Sequence, residues 1–113
     1  MKNHSINIGD TFVMSWGYDQ TNLNFFQVTR VSDSGVFVRE IASQTAPGSE
    51  HFDSSREVPV KDSFLATSQW CGGYNSENRE TFRRIKDGGF NFKGRYYAGQ
   101  TVPGKSYYTS SGH

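Results

Sequence analysis

The sequence predicts an all-β protein, a single small, bent antiparallel sheet or a partly open SH3-like barrel with little helix. Three observations carry this. The 113 residues include nine Phe, six Tyr and two Trp, rings that favour strands and give a short chain a large apolar area to bury. Twelve Gly, with abundant Ser, Thr and Asn and scarce Leu and Ala, leave few helix formers. Short aromatic and β-branched runs alternate with turn residues along the chain. At this length one core is expected, so residues 1–113 are read as one domain.

Thr11-Phe12-Val13-Met14-Ser15-Trp16 follows Gly9-Asp10 and reads as a first strand, with Phe12, Met14 and Trp16 on one face. Residues 24–31 (Asn-Phe-Phe-Gln-Val-Thr-Arg-Val) read as a second strand. After a turn over Ser32–Gly35, residues 36–41 give a third. Residues 10–41 are thus expected to form a three-stranded meander. Its core would take Phe12, Phe25 or Phe26, Val28, Val36 or Phe37, and Val38 or Ile41.

Residues 42–57 are polar around Pro47-Gly48 and read as a surface loop, as residues 1–8 read as an N-terminal tail. Pro59 assigns the next short strand to a sheet edge, because it has no N–H to give a ladder. Residues 80–86 read as strand. Asp87-Gly88 then signals a type I′ hairpin that sets Ile85 opposite Phe90 and Arg83 opposite Phe92. Strand character continues through Tyr96-Tyr97-Ala98, and residues 99–113 form a segment rich in Gly, Ser and Tyr.

The formal net charge is +1, too balanced to single out a polyanion partner for the whole molecule. The single cysteine, Cys71, cannot form an internal disulfide, which favours a reducing, cytoplasmic location. No apolar stretch of signal-peptide or membrane-spanning length occurs, so no membrane partner is expected. His4, His51 and His113 have no ligand-spaced companions, and Cys71 has no neighbouring base. Nucleotide-binding and hydrolase motifs are absent as well. The chain is therefore read as non-enzymatic, with no metal or cofactor.

Two segments concentrate binding chemistry. In Trp16-Gly17-Tyr18-Asp19-Gln20-Thr21-Asn22, two large aromatics lead into four polar side chains. The structural reading places Trp16 in the core and ties Asp19 and Asn22 to their own backbone in a turn. The functional reading makes Trp16, Tyr18, Asp19, Gln20 and Asn22 a contact for a partner, with Tyr107 and Tyr108 as further anchors where exposed. The second segment, 79–97, sets six cations against two carboxylates, interleaved with Phe and Tyr. Arg83, Arg84, Phe92, Lys93, Arg95 and Tyr97 would bind nucleic acid if phosphates meet the charges and bases stack on the rings. Otherwise they form a solvated face whose arginine stems cover an aromatic core.

Gly9-Asp10-Thr11-Phe12 and Ser15 to Asn22, with the closing pattern Tyr96-Tyr97, Gly104, Tyr107 and Gly112-His113, carry a family likeness. The chain resembles a largely uncharacterised family of small proteins encoded by phages, prophages and plasmids. The likeness covers the two ends and implies a mobile-element origin with an accessory or anti-host role, but no activity. The expected function is docking on a host or element-encoded protein, and the alternative is nucleic-acid binding.

Overall fold

The computed structural model describes residues 4–17, 21–48, 54–67, 77–94 and 96–110. It is all-β. The strands are β1 (Thr11–Trp16), β2 (Asn22–Val31), β3 (Gly35–Thr45), β4 (Ser54–Phe64), β5 (Thr81–Arg84), β6 (Gly89–Lys93), β7 (Tyr96–Gln100) and β8 (Tyr107–Ser110). They form one antiparallel sheet in the order β6-β7-β1-β2-β3-β4-β8, with β5 added to β3. The sheet is open and does not close into a barrel. No helix among the described residues is long and apolar enough to cross a membrane.

The expected meander is present as β1, β2 and β3. Phe12 pairs with Phe26, and Val28 with Val38. The alternation of side chains sends Phe12, Met14, Phe26, Val28, Val36 and Val38 to one face, where they meet Phe90 and Ala98 in a single core. Phe25 and Ile41 are buried too, on the opposite face, where the Tyr107 ring packs edge-on against Phe25 at 5.9 Å. Both members of two alternative core pairs are therefore buried, because β2 and β3 are covered on both sides.

That second cover comes from the β4 and β8 side of the sheet. β4 bends where its pairing with β3 slips between Ile41 and Ser43, and Asp62 adopts a left-handed φ of 65°. Asp62 is pinned to β2 by Gln27: the Asp62 N–H donates to Gln27 Oε1 at 2.7 Å, and Gln27 Nε2 donates to Asp62 Oδ1 at 2.9 Å. The reciprocal pair satisfies an amide that is buried in β2.

The expected loop over 42–57 is corrected at both ends, since β3 runs to Thr45 and β4 begins at Ser54. Polar residues hold this part of the ladder. Ser43 Oγ and Thr45 Oγ1 each donate to the Glu57 carboxylate at 2.9 Å. Pro59 pairs with Ser43 of β3 on one side and lies beyond Glu57, where the pairing of β4 with β8 stops, so its other side is an unladdered edge. Residues 4–8 are also more than a tail. Ile6 is buried in the core, and His4 Nε2 lies 3.0 and 3.1 Å from the carbonyls of Ser32 and Gly35.

The Asp87-Gly88 turn forms as expected. Both residues have positive φ, and Lys86 and Gly89 exchange backbone hydrogen bonds of 2.8 and 3.2 Å. The two-stranded ribbon does not continue from it. β5 leaves to pair with the first half of β3, while β6 pairs with β7. Arg83 still reaches Phe92, through a 2.9 Å hydrogen bond from Nη1 to the Phe92 carbonyl.

β5 lies so close over Gly35 that a Cβ there would sit 2.3 Å from the Arg83 carbonyl oxygen and 2.8 Å from Phe82 Cζ. Gly35→Ala is expected to cost about 1–3 kcal/mol through overpacking, read by chemical denaturation. Gly99→Ala, where a Cβ would meet no atom within 4 Å, is the control and should leave the midpoint nearly unchanged.

Candidate functional site

Side chains pointing away from the main core on β1 and β2 (Val13, Ser15, Leu23) form one wall of a groove of about 430 Å³, near Thr21 at the end of the 17–21 connection. Tyr97, Gly99 and Gln100 of β7 and Tyr107 and Tyr108 of β8 complete it. The Thr109 hydroxyl, donating to the Thr21 carbonyl at 2.6 Å, brings β8 to this place. Tyr97 and Tyr108 are 44% and 50% exposed, enough for a partner to bury substantial ring area on contact. Tyr107 is more constrained: its hydroxyl accepts the Val102 N–H at 3.0 Å.

The loop residues divide. Trp16 is half-buried against the core, and its Nε1 donates to Asn24 Oδ1 at 2.5 Å, so it follows the structural reading. Asn22 pairs with Trp16 at the open end of the β1–β2 ladder. Tyr18, Asp19 and Gln20 lie outside the described residues.

The basic segment also divides. Arg84 and Lys93 are exposed, whereas Arg95 lies outside the described residues. Phe92 is half-buried between neighbours, with the Phe26 ring centroid at 5.4 Å and the Arg83 guanidinium 4.5 Å from its own centroid. Tyr97 joins the groove instead. Its single hydroxyl hydrogen is shared between the carbonyls of Lys86 and Asp87, at 2.8 and 3.0 Å. Burial, and next the Asp87 carboxylate, raise the Tyr97 phenol above its ordinary range, which keeps it a donor.

A second recess lies at the seam where β5 and β6 part. Phe26 and Val38 of the core line it, with Thr81 and Arg83 from β5, Phe92 from β6, Arg39 and Glu40 from β3, and residues 77–79. A buried polar chain leads to it. Asn24 Nδ2 donates to Glu40 Oε2 at 2.7 Å, and the Asn78 side chain bonds both the N–H and the C=O of Glu40, at 2.9 and 2.8 Å. Beside it the Thr29 hydroxyl donates to Glu80, and Arg30 meets the same carboxylate at 2.8 Å. The Thr29 and Arg30 hydrogen bonds lower the Glu80 carboxyl below its usual range.

Against family models, characterised proteins and solved structures, the chain finds no match.

Its own geometry is therefore what speaks to function. Among the described residues, no three His, Cys, Asp or Glu side chains come together as metal ligands. Sequence reasoning marked Tyr97, Tyr107 and Tyr108, but assigned Tyr97 to the basic face and missed Val13, Leu23, Gly99 and Gln100. These four meet the tyrosines only through the pairing of Val13 with Gly99, 86 residues away in sequence, for which the local sequence carries no signal.

Proposed function

We propose that the protein is a non-enzymatic accessory binding protein, of a phage or other mobile element, that docks an extended segment of a host or element-encoded protein in the tyrosine groove. The observation that carries this reading is the concave meeting of Tyr97, Tyr107 and Tyr108 around the open position of Gly99. Tyrosine supplies apolar area and a polar tip at small conformational cost, which suits a recognition surface. The extended form of the occupant follows from β8, the last strand of the sheet, whose outer edge offers backbone groups for strand addition beside the groove.

The nucleic-acid reading has less support. Phe92 is half-buried under Phe26 and Arg83, which leaves less of its ring for base stacking beside the exposed cations Arg84 and Lys93.

Gly99→Leu places a side chain in the open groove with no backbone conflict. Peptides selected by display on the wild-type protein are expected to lose about 30-fold or more in affinity for this variant and for Tyr108→Ala, with unchanged thermal stability. Arg84→Glu with Lys93→Glu should leave them bound. Peptides that bind the Gly99→Leu protein as well as wild type would overturn the reading. Salt-sensitive retention of a single-stranded oligonucleotide, lost on the double charge reversal, would put nucleic acid in its place.

A further inference from the structure

We propose that the seam between β5 and β6 is a second binding site, independent of the tyrosine groove, for a small carboxylate carried on an apolar stem. The recess measures about 300 Å³, at the small end of ligand pockets. Phe26, Val38 and Phe92 supply apolar surface, and Arg83 supplies the charge.

The other charged groups around the recess already have partners. Glu77 meets Arg79 at 3.0 Å, Arg39 Nε donates to the Asn78 carbonyl at 3.2 Å, and Glu40 accepts from Asn24. Arg83 differs. Among the described residues, one of the five N–H donors of its guanidinium has a protein acceptor, the Phe92 carbonyl, and the buried Nε has none. No carboxylate lies within 4 Å of it among the described residues. Its guanidinium lies over the Phe92 ring, and burial lowers its pKa from the ordinary arginine value.

A half-buried guanidinium has lost part of its hydration, so an anion that replaces the missing water gains more there than at an exposed arginine. A planar carboxylate matches the guanidinium fork, and an apolar stem matches the ring-lined wall. Inorganic phosphate would satisfy the charge but leave that wall in contact with water.

The test compares benzoate with benzamide, a neutral molecule of nearly the same shape, by proton–nitrogen correlation spectra of the wild-type protein. Benzoate is expected to shift the Arg83 Nε–H signal and the amides of Thr81 and Phe92 saturably, with benzamide about tenfold weaker or more. Arg83→Lys, which keeps the charge and loses the fork, should weaken benzoate binding. The groove variant Gly99→Leu should bind benzoate like wild type, which separates this site from the docking surface. Equal responses to the two probes, no saturable shift at Arg83, or benzoate shifts spread over exposed Lys and Arg signals would each overturn the proposal. The two-probe comparison needs no variant, so it stands even if Arg83→Lys fails to fold.

Discussion

Phe90→Ala is expected to lower the unfolding free energy by about 3–5 kcal/mol, the cost of deleting a fully buried ring that its surroundings cannot refill. Phe90 is 0% exposed, with the ring centroids of Phe12 and Phe26 at 5.2 and 5.7 Å. β6 delivers it to the core formed by the meander. Loss of its ring removes a fully buried contact between β6 and the first three strands. Domains of this size are stable by only about 5–15 kcal/mol, so the variant should show a much lower urea midpoint with a similar slope. Phe82→Ala, at a ring 46% exposed and packed against Phe37, provides the comparison and should cost far less. Equal losses at the two positions would mean that Phe90 is not central to the core.

Asn78→Asp exchanges one heavy atom and is expected to cost about 3 kcal/mol at neutral pH. The Asn78 amide stands in for a strand edge. Oδ1 accepts the Glu40 N–H at 2.9 Å, and Nδ2 donates to the carbonyls of Glu40 and Leu65, both at 2.8 Å. In the variant, a carboxylate oxygen would face those two carbonyl oxygens in a buried place. Arg39 and Arg79, which line the same recess, offset part of that repulsion. The new carboxyl would hold its proton more tightly folded than unfolded. The loss should therefore be small in acid and grow as pH rises through the ordinary aspartate range, near about 4. Denaturation midpoints of both proteins across pH measure it, and a loss independent of pH would show that the carbonyls are not the cause.

Much of the fold was legible because its first three strands alternate strongly and connect locally. The Asp87-Gly88 turn was legible for a similar reason, since its φ requirement selects residue types. The ends of β3 and β4 were not. Ser43, Thr45 and Glu57 satisfy one another across the ladder without an apolar face, so no period-two pattern marks them. The choice between Phe25 and Phe26 was open because alternation assumes one buried face, and β2 has two. The tyrosine groove was legible residue by residue but not as a place. Its walls come from β1, β2, β7 and β8, and the register joining β1 to β7 is set by long-range packing. Arg83 was marked for its charge, while its lack of an ionic partner among the described residues emerged only when β5 parted from β6.

The pairing of Phe12 with Gln100 and Met14 with Ala98 has a consequence during synthesis. β1 gains β2 soon after it is made, but the strand that covers its other edge is made some 80 residues later. At elongation rates of roughly 5–20 residues per second, that edge stays uncovered for about 4–16 seconds in every nascent copy. Chains on neighbouring ribosomes of one message would then present the same bare edge to one another. The interval in which this protein is most prone to self-association thus closes with the making of β7, well after the meander has formed.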